Sequence, residues 1–102
     1  MPYFFFKLIA PRPSFAFDMR EEERGLMQSH SVYWRGLLDK GTVLVFGPVL
    51  DPKGPFGVCI GKVADEGEAR GLAANDPVIK ADRGFICEVF PMMAVVRESE
   101  SG

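Results

Sequence analysis

The chain has 102 residues, 47% of them hydrophobic, and a formal net charge of -2. That length fits one compact domain with a core that needs no disulfide or metal staple, spanning residues 1–97. The charge forms no basic stripe to neutralise a phosphate backbone, and no apolar run approaches the ~20 residues of a membrane-spanning helix, so neither nucleic acid nor membrane is an expected partner. No secretion signal is recognisable at the N-terminus, and a cytosolic location is the expectation.

Tyr3 to Ile9 reads as a first strand with both sides apolar: Tyr3, Phe5 and Ile9 on one, Phe4, Phe6 and Leu8 on the other. It is expected to be a central strand. Pro11-Arg12-Pro13 ends it, and an irregular segment is expected through Phe15 and Phe17. Asp18 followed by Glu21 has capping spacing, and Glu21, Glu22 and Glu23 suit a helix's first turn. From there Leu26, Met27, His30, Tyr33, Trp34, Leu37 and Leu38 recur at offsets of three and four, and Gly41 offers a C-terminal stop. His30, the only histidine, thus lies on the inward stripe, where its ring nitrogens need partners.

Thr42 to Val49 reads as a second strand with a kink or bulge at Gly47-Pro48. Asp51 to Pro55 is a turn, and Phe56 to Ala64 a third strand. Asp65 and Glu68 then repeat the capping pattern before a short helix facing inward with Ala69, Leu72 and Ala73. Seven residues beyond Ala69 the same stripe reaches Asp76, where Pro77 discourages further helix and a plain turn role would also explain the aspartate. Phe85 to Met92 supplies a last strand, and the acidic, serine-containing residues 98–102 read as a frayed tail.

Strand, helix, strand, strand, helix, strand is the split βαβ order of α+β ferredoxin-like folds, a four-stranded antiparallel sheet with helices on one face. The third and fourth strands then flank the first. Cys59 and Cys87 fall about two strand spacings of ~4.8 Å apart, too far for a disulfide, and read as packing thiols. The second apolar face of the sheet predicts association with another copy into a dimeric α+β barrel.

His30 and Asp76 lie on the inward stripes of two helices expected to pack side by side; if they meet, the aspartate fixes the imidazole tautomer and the free nitrogen can move a substrate proton. Ser29 and Ser31 point elsewhere on the helix, which argues against a serine nucleophile. Tyr33 and Trp34 are candidates to line a pocket for an aromatic ligand, with core packing as the competing reading; Arg12 is a candidate anion contact, and Gly47 and Pro48 a candidate pocket wall. Gly54, Gly57 and Gly61 lack the strand-to-helix setting of a nucleotide loop, and one histidine without multi-ligand spacing supports neither zinc nor haem, so no obligatory cofactor is expected.

His30 with Tyr33, then Phe46-Gly47-Pro48, then Ala74-Asn75-Asp76-Pro77-Val78, in this order from the first strand to the last, resembles the YciI-like, or YCII-related, family. The resemblance implies a ferredoxin-like, dimeric fold and a site built around a histidine and an aspartate, here His30 and Asp76. At least one related enzyme is a dehydrochlorinase of a chlorinated hydroxyhydroquinone, while most members have no assigned reaction. The expected function is therefore small-molecule acid/base chemistry of lyase or isomerase type; the alternative is a noncatalytic ligand-binding or structural dimer.

Overall fold

The computed structural model describes residues 1–97; the tail expected over 98–102 lies outside the described residues. Eight elements follow one another: β1 (Tyr3–Ile9), α1 (Phe15–Asp18), α2 (Glu21–Asp39), β2 (Val43–Val49), β3 (Phe56–Lys62), α3 (Glu66–Ala74), α4 (Pro77–Lys80) and β4 (Ile86–Met92). The strands form one antiparallel sheet in the order β2-β3-β1-β4. This is the α+β ferredoxin-like architecture that the element order predicts.

Alternation along β1 sorts its side chains cleanly. Phe4, Phe6 and Leu8 are buried beneath the helices, with Trp34, Val43, Cys59, Ala69, Ala73 and Val89 in the same core. Ala69 and Ala73 are small enough to let α3 approach the sheet closely. The opposite face of the sheet carries Val45, Val49, Ile86 and Phe90, all exposed, with the Phe5 and Phe90 rings paired across the β1–β4 ladder.

Local chemistry sets the element boundaries. α2 ends in a Schellman arrangement: the N–H of Thr42 donates to Leu37 O, that of Gly41 to Leu38 O, and Gly41 takes the left-handed φ of 83° this requires. α3 starts at Asp65, whose Oδ1 accepts from Glu68 N at 2.8 Å.

Four local expectations need correction. α2 is capped at Arg20, whose N–H donates to Glu23 Oε1 at 2.8 Å, and not at Asp18; Asp18 closes the one-turn α1 instead and accepts from Ser14 Oγ and Arg12 Nε. The segment around Phe15 and Phe17, expected to be irregular, contains that helical turn because Arg12 holds it shut. In β2 the register irregularity falls between Val43 and Val45, while Gly47 and Pro48 remain paired opposite Val58 and Gly57. Finally, Pro77 starts a helix: it occupies the first position of α4, where its missing N–H costs nothing, and Asp76 is the N-cap.

Candidate functional site

Antiparallel pairing brings the C-terminal ends of β1 and β2 and the N-terminal ends of β3 and β4 to one edge of the sheet. Over that edge lie α2, the α1 segment and the β2–β3 connection. Between them is a cavity of about 400 Å³, within the ~300–1,000 Å³ range of small-molecule sites. Phe6, Leu8, Cys59 and Cys87 form its floor, Phe46, Gly47 and Pro48 one side, and Phe15, Phe17 and Met19 another, while His30, Ser31 and Trp34 come down from α2.

Asp76 is the organising charge. It is 1% exposed, yet each of its oxygens meets a fixed N–H donor. Its Oδ1 accepts from Val78 N at 3.1 Å, and its Oδ2 accepts from Trp34 Nε1 at 2.7 Å and lies 2.7 Å from His30 Nδ1. An indole nitrogen can only donate, and a carboxylate that meets donors on both oxygens is an acceptor on both. His30 Nδ1 therefore carries a proton and donates it to Asp76. In the neutral ring this leaves the lone pair on Nε2.

That second nitrogen has no hydrogen-bond partner among the described residues, and no buried side-chain nitrogen or oxygen there lacks one. Nε2 is thus open rather than sealed. The His30 side chain is 15% exposed, and it lines the cavity. Anchored on one nitrogen and free on the other, the ring is held as a base would be.

The other residues singled out in the sequence divide. Trp34 lines the cavity and also orients Asp76, packing edge-on against Phe6 at a ring separation of 5.3 Å. Gly47 and Pro48 line the cavity as well. Tyr33 does not: its hydroxyl donates to Leu72 O at 2.7 Å and ties α2 to α3. Its phenol is pushed upward by burial, with the Asp76 charge adding to it. Arg12 also stands apart from the cavity wall. Nη1 and Nη2 clamp Glu23 at 3.0 and 2.8 Å, Nε reaches Asp18 Oδ1 at 2.8 Å, and the guanidinium lies over the Phe15 ring.

Sequence patterns did not single out Ser31, Phe17, Leu50 or Cys87 as cavity residues. Ser31, expected to point elsewhere on the helix, lines the cavity beside His30, while Ser29 does not. Burial drives the thiol of Cys59 up to about 12 and that of Cys87 up to about 11, so both stay neutral and inert as nucleophiles. Among the described residues no group of three or more His, Cys, Asp or Glu side chains could hold a metal ion, and no helix is long and apolar enough to cross a membrane.

Fold and cavity together define a small α+β domain with a ligand-sized site over one end of its sheet. The family model of the YCII-related domain matches residues 3–93, and the chain belongs to that family. Among solved structures, the chain is similar to the 5-chloro-2-hydroxyhydroquinone dehydrochlorinase from Burkholderia phenoliruptrix AC1100 in complex with 2,5-dihydroxybenzoquinone, with a TM-score of 0.57 and 21% sequence identity over 83% of this chain and 90% of the other. This likeness is one of fold. Among curated proteins, none matches the chain in sequence.

Proposed function

We propose that the protein is a small-molecule lyase or isomerase, a cytosolic homodimer in which His30 acts as general base and acid and Asp76 orients it. The observation that carries this reading is the open Nε2 of a cavity-lining histidine whose Nδ1 is 2.7 Å from a buried carboxylate. Nε2 takes a proton from a hydroxyl or an activated carbon of the substrate. The electron pair left behind forms a new π bond, and a leaving group departs with its bonding pair or the proton returns at another atom. The positive charge on the imidazole meanwhile faces Asp76, which Trp34 and Val78 hold in place.

Elimination is favoured because the solved structure of similar fold is that of a dehydrochlorinase and holds a dihydroxybenzoquinone. Dimerisation is supported by the apolar side chains of the open sheet face, where Val45, Ile86 and Phe90 are each about half exposed or more, beside the cross-strand pair of Lys7 and Glu88. Gly47 and Pro48 shape the cavity wall in this reading, and Trp34 both lines it and steadies the aspartate.

The test is chloride release from chlorinated hydroxyhydroquinones and phenols by the native protein and by His30→Gln. Turnover should fall by about 1,000-fold in the variant, with circular dichroism and oligomeric state unchanged. Equal turnover in the two proteins would refute the role of His30. Ligand binding with no turnover in either would leave the noncatalytic binding module as the correct reading.

A further inference from the structure

The walls of the cavity say more about its ligand than the histidine does. Apart from Asp76, no lining side chain among the described residues is formally charged, and neither lysine nor arginine is among them. Asp76 is a carboxylate held by three hydrogen-bond partners, an acceptor that gives an anion nothing to bind. Arg12, the candidate anion contact, is not among the lining residues and is paired with Asp18 and Glu23. An anionic ligand would therefore lose its hydration and meet no uncommitted positive charge. Even a protonated His30 would offer it a cation already paired with a carboxylate 2.7 Å away.

The apolar lining is also of a particular kind. Trp34, Phe6, Phe46, Phe17 and Phe85 are among the lining residues, and Met19 and Met27 add sulfur, a composition that favours aromatic and sulfur contacts with a flat ring. Polar capacity is left at His30 Nε2 and at the Ser31 hydroxyl, which has no partner among the described residues. At the mouth, Phe17 on α1 and Leu50 beyond β2 both line the cavity while each remains 82% exposed. Apolar side chains left this open at the rim gain burial when a ring enters between them.

We propose that the site selects an uncharged aromatic ligand bearing a hydroxyl directed at His30, that it rejects carboxylated and phosphorylated compounds, and that Phe17 is a rim contact contributing to affinity. This rests on the proposed site and specifies its substrate class. Trp34 is the only tryptophan of the chain, so its fluorescence reports occupancy directly.

Native protein is titrated at neutral pH with 4-ethylphenol, with 4-hydroxyphenylacetate, which replaces the methyl by a carboxylate, and with 4-ethylcyclohexanol, which removes the ring's aromaticity. Saturable binding of 4-ethylphenol is expected, with the acid on the order of 100-fold weaker and the cyclohexanol also weaker. Phe17→Ser should bind 4-ethylphenol about tenfold less tightly, with its thermal midpoint unchanged because that ring is exposed. Failure of 4-ethylphenol to bind, or equal or tighter binding of the acid, overturns the proposal. Equal binding of the cyclohexanol overturns its aromatic part, and unchanged affinity in Phe17→Ser its rim contact. Turnover does not enter these readouts: a protein that binds the phenol and catalyses nothing refutes proton transfer alone.

Discussion

At the scale of single residues, the meaning of His30 depends on a buried carboxylate that three hydrogen-bond partners hold in place. Asp76 gathers an indole N–H, a backbone N–H and the imidazole Nδ1–H. Because every donor is satisfied by one side chain, removing it strands three. Asp76→Ala should cost about 3 kcal/mol of stability, read by urea unfolding. The native protein should show the Nδ1–H tautomer when the ring is neutral, and the single histidine makes the assignment by nitrogen NMR unambiguous. An Nε2–H tautomer in the native state would sink the base assignment. Trp34 shows the limit of residue-type reasoning: its spacing marks it as core, which it is, but its Nε1 lies against a carboxylate 42 positions away in sequence, and no local pattern encodes that meeting.

At the scale of elements, the segment between β1 and α2 is held by a charge network rather than by apolar burial alone. Arg12 fastens α1 through Asp18 and the first turn of α2 through Glu23, while Phe15 packs edge-on against Phe85 at 5.1 Å. The Arg12 hydrogen bonds and then the Arg20 N–H hold the Glu23 carboxyl down at about 2. Since a free glutamate titrates near ~4.3, the folded state binds this proton more weakly than the unfolded state. The stabilisation is therefore fully present above about pH 4.3 and is lost as the pH falls towards about 2. Glu23→Gln should lower the thermal midpoint at neutral pH and lose that deficit relative to native protein near pH 2. A deficit that persists undiminished at low pH would show that the glutamate acts through packing. This element also explains the misplaced helix start: Asp18 and Glu21 have capping spacing, but the guanidinium of Arg12 competes for Asp18 and wins, leaving Glu23 to cap from within.

At the scale of the whole molecule, one sheet serves two purposes. Its helix-covered face builds the core and the cavity floor, and its open face presents Val45, Ile86 and Phe90. In the proposed dimer that face is buried against a second copy, which would account for apolar residues on both sides of β1. Phe90→Glu should shift the protein from the proposed dimer to monomer in sedimentation or light scattering, since it replaces one ring of the Phe5–Phe90 pair on that face with a carboxylate. A native protein that sediments as a monomer would refute the dimer outright.

The order of the strands and main helices, the two-sided character of β1, the inward stripe of α2 and the cap at Asp65 are all legible along the chain. Each of these is written in periodicity or in side-chain to backbone bonds spanning a few residues, and such signals survive without knowledge of the rest of the chain. The inward stripes pointed to His30 and Asp76 as neighbours, but the fold set their 2.7 Å contact across 46 positions, turned Arg12 to Asp18 and Glu23, put the strand irregularity near Val43, and brought Ser31 and Phe17 to the cavity. Those outcomes depend on how α2 and the short turns settle over the sheet edge, where long-range packing and competition for hydrogen-bond partners outweigh local preference.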